Sequence, residues 1–343
     1  MKTKVLVAGL AGASLGTEIV KSLSCTDDYE IYGCDIEPLA YGLYSDKLKA
    51  AFVADRSDYI NSVQKICLDN GIRYIIPGGE QPMVLLSAGT EQFGKNNIIV
   101  ASNSAEIIHL FSNKERTFSY LKSIGVPVPF TKRVFQKDDI EGIEFPCIVK
   151  PSSGTGGSDS VFLATNAEEC VLYIELLLKN KREVIIQEYI GLDEGEFTVG
   201  VLSDTQSNVI GSVAMRRIFN SKLSVAYKGA KGLISSGYSQ GLIADFAEIR
   251  KQAEYIATKS GSKGPFNVQG RVRDGILVPF EINPRFSAST YLRNLAGFNE
   301  IHYYLQHLIH GKNSFDWKLK EGYYLRSFDE MYLPAGALKK IND

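Results

Sequence analysis

The sequence predicts an α/β protein, with a small parallel sheet near the N-terminus and a mixed α/β region after it. Four short apolar runs, at residues 5–8, 30–34, 74–76 and 98–100, alternate with helix-like stretches such as 57–70. That alternation favours parallel strands with helices on both faces of the sheet. Later strand-like runs follow one another directly, which favours antiparallel pairing.

The elements after residue 103 are predicted from their caps and their periodicity. A helix should begin at Lys114, because Asn113 is a good N-cap residue, and it should end before the Gly-Val-Pro-Val-Pro stretch at 125–129. Further strands are expected at 134–135, 147–150, 160–163, 184–189, 197–202, 209–214 and 323–326, and further helices at 168–179, 246–260 and 299–310. The pattern predicts three units, at residues 1–103, 104–189 and 190–343.

The composition argues against several classes of protein. With 38 basic and 39 acidic residues the net charge is −1, so a general affinity for nucleic acid is not expected. Five scattered cysteines without a CxxC pair are typical of free thiols in a reducing compartment. The apolar run at 5–8 is too short for a signal peptide, and no segment is long enough to span a membrane. We therefore expect a cytoplasmic protein without a nucleic-acid or membrane partner.

Glycines follow the first strand at positions 9, 12 and 16, and Asp35 follows the second strand. In a dinucleotide-binding turn, such glycines admit the pyrophosphate and an acidic residue binds the ribose. The spacing here is GxxGxxxG and not GxGxxG, so a tight strand-to-helix turn explains it as well. An NAD(P)-dependent oxidoreductase that uses Gly9, Gly12 and Asp35 stays open as an alternative.

Residues 266–285 read FNVQGRVRDGILVPFEINPR and predict a hairpin with one polar face. A three-residue Arg-Asp-Gly loop, with Gly275 in the left-handed region, would put Gln269, Glu281 and Asn283 together on that face. The apolar face would then contain Val268, Val272, Ile276, Val278, Phe280 and Ile282. Carboxylate and amide oxygens that converge in this way suit Mg²⁺ shared with phosphate oxygens. A half-exposed hairpin with an ordinary polar outer face is the alternative.

Lys150 ends an apolar strand and is followed by PSSGTGGS, a run without bulky side chains. The backbone amides of such a run can approach phosphate oxygens, and the lysine adds a positive charge. The candidate residues of this loop are Ser153, Gly154, Gly156, Gly157 and Ser158. Because the lysine precedes the glycines, unlike in the Walker P-loop, a flexible turn is the competing interpretation.

The run QEYI, which includes Glu188, Tyr189 and Ile190, follows another apolar strand. If the strand leaves its sheet here, backbone groups of Glu188 and Ile190 are available to an adenine edge. Glu196 lies six residues after Ile190 and can accept hydrogen bonds from ribose hydroxyls. A charged loop without a ligand explains the same residues.

Several charged residues are candidates for binding substrate groups. Arg271 shares the polar face of the hairpin, Arg293 lies beyond it, and alternation puts Arg216 on the strand face opposite Arg217. Arg216 and Arg271 are therefore the candidates for a catalytic role. Glu80, at the end of a strand of the first unit, could meet a substrate ammonium group. A solvated surface is the alternative for each of them.

Taken in order, these parts resemble those of the ATP-grasp superfamily, in particular the branch related to carbamoyl-phosphate synthase and biotin carboxylase. The matching stretches are NKER with Lys114, IVKP with Lys150, SSGTGGS, QEYI, EFTV with Glu196, NVQ with Gln269 and FEINPR. The resemblance covers roughly residues 1–310. It implies an ATP-grasp fold whose first unit is a Rossmann-like pre-grasp domain that binds no dinucleotide.

The resemblance also implies which residues bind ATP. Lys114 and Lys150 would contact the phosphates, and residues 153–158 would form a mobile lid. The backbone between Glu188 and Ile190 would bind the adenine, and Glu196 would bind the ribose. All of these residues precede the hairpin in the chain, so the hairpin would form the far wall of the ATP site.

On that far wall, Glu281 would bridge two Mg²⁺ or Mn²⁺ ions, Gln269 and Asn283 would each complete one, and Arg285 would act at the acyl-phosphate end. The implied activity is that of an ATP-dependent ligase, which joins a small-molecule carboxylate to an amine through an acyl phosphate. Carbamoyl phosphate formation and carboxylation of a cofactor are the alternatives within the family. A separate ammonia-supplying partner and assembly as a homodimer are left open.

Overall fold

A computed structural model of the chain describes residues 2–11, 15–152 and 160–340. Its first sheet is formed by β1 (Thr3–Ala8), β2 (Tyr29–Asp35), β3 (Ala50–Val53), β4 (Tyr74–Pro77) and β5 (Ile99–Val100). These five strands are parallel and lie in the order β3-β2-β1-β4-β5. The accompanying helices are α1 (Leu15–Leu23), α2 (Tyr59–Asn70), α3 (Glu80–Ala88) and α4 (Thr90–Gly94). The expected parallel sheet is confirmed, and its order is that of doubly wound sheets.

Side-chain alternation on β1 explains why helices cover both faces of this sheet. Val5 and Val7 pack in the same core as α1, whereas Leu6 and Ala8 pack in the core that contains α2. Every residue from Val5 to Ala8 is therefore buried, as in a parallel strand covered on both sides. Strand β3 was not predicted, because only a short 3₁₀ turn (Tyr41–Tyr44) stands between it and β2 in place of a helix.

The rest of the chain forms two further sheets and a short hairpin. The smaller sheet contains β6 (Thr131–Val134), β7 (Cys147–Pro151), β8 (Phe162–Ala164) and β9 (Val184–Glu188) in the order β6-β9-β7-β8. The larger one contains β10 (Glu196–Ser203), β11 (Val209–Arg217), β14 (Gly241–Ile243), β15 (Pro265–Arg273), β16 (Ile276–Asn283) and β17 (Gly322–Tyr324). Its order is β16-β15-β10-β11-β14-β17, and all its pairs are antiparallel as expected. Strands β12 (Val225–Gly229) and β13 (Gly232–Ser235) form the separate hairpin.

The remaining helices are α5 (Ala105–Phe111), α6 (Lys114–Ser123), α7 (Ala167–Lys179), α8 (Ala247–Lys259), α9 (Thr290–Leu295) and α10 (Glu300–His310). Helix α6 begins where its cap predicted, since the side chain of Asn113 accepts from the backbone N–H of Arg116 at 3.0 Å. No helix of the described residues is long and apolar enough to cross a membrane.

The two faces of the six-stranded sheet have different roles. On one face Phe197, Val199 and Val268 pack against α8. The other face lies partly against the first unit of the chain, because Met215 of β11 packs in the same core as Ile19 of α1. The polar residues that point to this second face are the ones that form the site described below.

The glycines after β1 and β4 bring two backbone turns into direct contact. A Cβ atom on Gly16 would lie 1.8 Å from the Gly9 carbonyl oxygen, and one on Gly78 would lie 2.0 Å from it. The Asp35 carboxylate accepts from the backbone N–H of Leu10 at 2.5 Å and of Glu37 at 2.9 Å. Both Asp35 oxygens therefore bind the protein's own backbone, and the glycines are needed for packing. Gly12 lies outside the described residues.

Candidate active site

A cleft lies between the four-stranded sheet and the second face of the six-stranded sheet, the face opposite α8. Its volume, including space open to solvent, is about 730 Å³, which is within the usual range for a small-molecule site. The lining includes eight of the residues predicted from the sequence, namely Lys114, Lys150, Glu188, Tyr189, Ile190, Glu196, Arg271 and Glu281. The structure thus brings together candidates that are separated by more than 160 residues of sequence.

Lys150, on β7, is buried and donates a hydrogen bond of 2.7 Å to Gln187 Oε1. The pKa of Lys150 is lowered from 10.5 to about 7, chiefly by burial and also by the charge of Lys114, whereas the charge of Glu281 raises it. The backbone N–H of Lys114 donates to the carbonyl of Ser152 at 3.1 Å, so α6 begins against the end of β7. An anionic ligand placed between the two lysines would favour the charged form of Lys150.

Two backbone groups of the hinge between β9 and β10 are bound within the protein. The N–H of Glu188 donates to the carbonyl of Phe130, and the carbonyl of Ile190 accepts from Arg271. The Ile190 N–H makes no hydrogen bond within the part of the chain that the structure describes. Of these three groups only the Ile190 N–H is left to pair with a ligand. Tyr189 lies under the Arg271 guanidinium, and its hydroxyl accepts from the N–H of Leu233.

Glu196, the first residue of β10, is fully buried between two arginines. Arg217 Nη1 donates to one carboxylate oxygen and Arg271 Nε to the other, both at 2.9 Å. Arg271 also donates to the carbonyls of Ile190 and Leu233, so it fastens the hinge to β13. This position does not fit the expectation that Arg271 is a catalytic carboxylate clamp. The side chain has a structural role in the wall of the cleft.

The sequence pattern favours Arg216 over Arg217 as the site residue, and the structure shows the reverse. Arg217 is the buried residue that binds Glu196, whereas Arg216 is exposed on the α8 side of the sheet. The run from Ser212 to Met215 is buried on both faces, so alternation could not show which face carried the site. Arg217 also donates to the carbonyls of Ser236 and Tyr238, which places it beneath the segment after β13.

The β15–β16 hairpin has a different turn from the one predicted. Arg273 pairs with Ile276, so the loop has two residues, and both Asp274 (φ 54°) and Gly275 (φ 73°) are left-handed. A β-bulge at Phe280 then restores the register, and Gln269 lies directly opposite Glu281.

The bulge reverses the alternation between the turn and Phe280. Leu277 is in the core, Ile276 is 47% exposed, and Phe280 lines the cleft. Only Val268, Val272 and Ile282 of the predicted apolar face lie in the core against α8. The convergence of Gln269, Glu281 and Asn283 on one face does not depend on this error, because Asn283 pairs with Asn267 two residues along.

The polar face of the hairpin suits a cation that is shared with an anionic ligand. Its oxygen donors are one carboxylate, of Glu281, and the amides of Gln269 and Asn283. Among the described residues no cluster of three or more His, Cys, Asp or Glu side chains could bind a metal on its own. A set with one formal charge fits Mg²⁺ that arrives with nucleotide oxygens.

Arg285 follows the hairpin and is close to the same face. It donates to Asn283 Oδ1 at 3.2 Å and to the Phe286 carbonyl at 2.9 Å. Burial lowers the pKa of Arg285, and the nearby carboxylates of Glu281 and Glu80 oppose this change. Asn283 Nδ2 and Arg285 Nε are buried and have no hydrogen-bond partner in the structure. Such orphaned donors fit phosphate or carboxylate oxygens of a ligand.

Residues 111–289 match the family model of the ATP-grasp domain, which is more than half of the chain. The chain belongs to the ATP-grasp family. The ATP-grasp resemblance predicted from the motifs is therefore confirmed, and so is the α/β fold class.

Among curated proteins, the chain is similar to large chains of carbamoyl phosphate synthase. It is 28% identical over 216 residues to that of Neisseria meningitidis serogroup B, which covers 61% of this chain and 19% of the relative. It is 25% identical over 275 residues to the arginine-specific large chain of Halalkalibacterium halodurans, covering 78% of this chain and 24% of the relative. The matched part is thus about a fifth to a quarter of the length of these relatives.

Solved structures show the same ATP-grasp fold. The biotin carboxylase domain of Hydrogenobacter thermophilus 2-oxoglutarate carboxylase has a TM-score of 0.64 at 18% identity, covering 89% of this chain and 69% of that one. An L-amino acid ligase from Bacillus licheniformis has a TM-score of 0.64 at 14% identity, with 89% and 76% covered. N5-carboxyaminoimidazole synthetase from Staphylococcus aureus has a TM-score of 0.62 at 18% identity, with 93% and 81% covered.

A buried network next to the hairpin was not predicted from the sequence. Arg293 is 1% exposed and donates to Asn267 Oδ1 at 2.6 Å and to Glu300 at 3.1 Å. A Cβ atom on Gly200 would lie 2.2 Å from Arg293 Nη1, so the guanidinium needs a glycine on β10. Arg293 therefore supports the hairpin from behind and is not the substrate clamp suggested by its position in the sequence.

The loop predicted to close over ATP lies outside the described residues. This applies to Ser153, Gly154, Gly156, Gly157 and Ser158, whose role in nucleotide binding stays a prediction. The loop connects Ser152, whose carbonyl accepts from Lys114, to Ser160, which has a φ of 58°.

Proposed function

We propose that the chain is an ATP-dependent ligase that joins a small-molecule carboxylate to an amine. The observation on which this depends is the position of the Gln269–Glu281 pair at one end of a cleft that also contains Lys114, Lys150 and the Ile190 N–H. Such a cleft offers groups for several parts of a nucleotide. Ile190 would pair with the adenine edge, the lysines with the phosphates, and the hairpin with the divalent cation.

The proposed reaction has two steps. A substrate carboxylate oxygen attacks the γ-phosphorus of ATP, so that the bond to the β–γ bridging oxygen breaks and ADP leaves. The amine then attacks the acyl carbon, loses a proton, and releases inorganic phosphate as the amide bond forms. Lys114 and Lys150 offset the charge of the transferring phosphoryl group, and Arg285 binds the acyl-phosphate end.

Glu281, Gln269 and Asn283 would hold the divalent cations, for which we propose two Mg²⁺ or Mn²⁺ ions. Bound there, divalent cations neutralise charge on the phosphates and orient them for in-line transfer. The role of Glu196 in this proposal is to accept from a ribose hydroxyl with the lone pairs that the two arginines leave free. Its complete burial requires that the hydroxyl reach it from within the cleft.

Measurement of ADP release with a panel of carboxylates, with and without an amine, tests this function. We expect release that depends on the carboxylate and is accelerated by the amine. A Glu281→Gln variant should lose the activity, while Glu91→Gln, at an exposed ion pair on α4, should keep it. Absence of ATP turnover with every carboxylate tested would contradict the proposal.

Carbamoyl phosphate formation is the second candidate, and it is favoured by the similarity to the large chains of that synthase. In that case bicarbonate would be the activated carboxylate, and ammonia from a separate partner would displace its phosphate to give carbamate. A second ATP would then transfer its γ-phosphoryl group to the carbamate and leave as ADP. Bicarbonate-dependent ADP release with ammonium as the best amine would favour it over amide ligation.

A dinucleotide-dependent oxidoreductase is disfavoured by two features of the first unit. The Asp35 carboxylate is occupied by the backbone of Leu10 and Glu37, so it is not available to a ribose. Gly9 and Gly16 are needed for contact between turns, not for approach of a pyrophosphate. A thermal-shift comparison should show stabilisation by ATP with Mg²⁺ and none by NAD or NADP.

A cytoplasmic location is supported by the cysteines, since all five are free thiols and four of them are buried. Assembly as a homodimer is a further proposal that sedimentation of the purified chain would test.

A further inference from the structure

A second hollow continues from the ATP cleft past Glu281. Its volume is about 390 Å³ including open space, and it shares Lys114, Phe280 and Glu281 with the cleft. It adds Asn283 from the hairpin and Glu80 from the first unit of the chain. A molecule in this hollow would therefore lie next to the phosphate end of a nucleotide in the cleft, where a substrate of the proposed ligase must react.

Glu80 is the notable residue of this hollow, because its carboxylate lines the wall without a direct partner among the described residues. It is the first residue of α3 and is half-buried. Among the described residues it takes part in no side-chain hydrogen bond and no ion pair. A carboxylate held in this way at the wall of a hollow fits a ligand that brings positive charge and hydrogen-bond donors.

Two cations lie near this hollow. Lys114 lines it, and Arg285 interacts with Glu80 electrostatically, although no ion pair joins those two side chains among the described residues. The Arg285 guanidinium donates to Asn283, which also lines the hollow, and to the Phe286 carbonyl, while its Nε has no partner in the described part of the chain. This arrangement suits a ligand that carries a negative group towards Arg285 and a positive group towards Glu80.

We infer that the activated carboxylate is that of an α-amino acid, bound as a zwitterion between Arg285 and Glu80. This inference rests on the proposed function and names its substrate class. The amino acid's carboxylate would lie by Arg285 and the metal face, ready for phosphorylation, and its ammonium would donate to Glu80. The rings of Phe111, Phe118 and Phe280 line the hollow, which favours an uncharged side chain.

Simple carboxylates should bind less well for a physical reason. Bicarbonate, or an acid that lacks the amino group, would leave the half-buried Glu80 without a donor and close to a second negative charge. Sites built around such a polar group reject analogues that lack the complementary group by large factors.

Hydroxamate formation tests the inference without knowledge of the natural amine, since hydroxylamine traps acyl phosphates. The chain is supplied with Mg²⁺, ATP and hydroxylamine, together with uncharged L-amino acids, their deamino analogues or bicarbonate. We expect at least one amino acid to give kcat/KM at least tenfold above its deamino analogue. Glu80→Gln should reduce that preference tenfold or more, mainly through KM, and Glu80→Asp should restore part of it.

Two controls make the outcomes distinguishable. Glu91→Gln changes an exposed carboxylate of α4 and should leave the preference intact, and thermal unfolding checks that Glu80→Gln is folded. Turnover of bicarbonate or deamino acids as good as that of amino acids, or a preference unchanged in Glu80→Gln, would overturn the inference alone. No ATP-dependent product from any carboxylate would overturn the proposed function and the inference with it.

Discussion

Arg217 donates a hydrogen bond of 2.9 Å to Glu196 Oε1, and both side chains are buried at the wall of the cleft. Its neighbour in the sequence, Arg216, is exposed on the opposite face of the same strand. The two adjacent arginines therefore have the same chemistry but differ in burial and in their ion pairs. They form a natural pair for comparison.

We expect Arg217→Met to lower the free energy of unfolding by about 3 kcal/mol, because it leaves the buried Glu196 carboxylate with a single cationic partner. Arg216→Met should change it by less than about 0.5 kcal/mol, as is usual for an exposed side chain. Urea unfolding of the two variants measures the difference. Equal losses in both variants would show that the buried pair is not special.

Lys150 should destabilise the fold, in a way that depends on pH. Its pKa is lowered from 10.5 to about 7 by burial, so between these values the unfolded chain binds a proton that the folded chain does not. Stability therefore rises with pH across that window, and the full cost is present below pH 7.

Near pH 6, Lys150→Met should accordingly raise the free energy of unfolding by a few kcal/mol, the order of magnitude that corresponds to the pKa shift. This gain should shrink towards pH 10. Unfolding free energies across the pH range are the measurement. The same variant should lose ATP binding, as expected where a site residue is retained at the expense of stability. A gain that is constant with pH would refute the assignment of the lowered pKa.

Phe280 is the extra residue of the bulge, because Pro279 pairs with Gly270 and Glu281 pairs with Gln269. Deleting Phe280 should therefore remove the bulge and leave Glu281 opposite Gln269 on the same face. We expect Mg²⁺–ATP binding to fall much less in this deletion variant than in Glu281→Gln, which keeps the register and loses the charge of the carboxylate. Calorimetry on both variants decides, and an equal loss in both would show that the bulge itself is needed at the metal face.

Mg²⁺ should bind weakly to the chain in the absence of nucleotide. The hairpin provides one formal negative charge, from Glu281, beside the neutral amides of Gln269 and Asn283. Hard cations bind tightly only where more charged oxygens surround them. Gln269→Glu should therefore strengthen Mg²⁺ binding to the free chain, while Gln252→Glu, on α8 away from the cleft, should not. Tight binding by the unchanged chain in a titration calorimeter would contradict this prediction.

Local signals predicted the longer helices and most strands well, whereas the short helices α3, α4, α5 and α9 were not predicted. Asn113 caps α6 where the sequence placed its start, and the apolar runs of the first sheet are strands because both of their faces are covered. Lys150, at the end of an apolar strand, and Glu281, on the polar face of the hairpin, also line the cleft as the sequence predicted.

The errors concern side chains whose direction the sequence pattern does not determine. Both faces of β11 are buried, so no alternation distinguishes Arg216 from Arg217. Arg271 was expected to face a substrate, but its partners, the carbonyls of Ile190 and Leu233, come from distant parts of the chain. A bulge such as that at Phe280 likewise leaves no simple mark in the pattern of apolar residues.

The two-residue turn and the bulge of the β15–β16 hairpin have a consequence for aligning relatives of this chain. A hairpin of the same length with a three-residue loop needs no bulge to keep its carboxylate on this face. An extra residue near Asp274 therefore has the same effect on the facing of Glu281 as an extra residue near Phe280. Relatives of equal length can therefore differ at both places, and an alignment without gaps would pair unlike residues between them. What such hairpins should preserve is the phase of Glu281 relative to Gln269 and not the position of any gap.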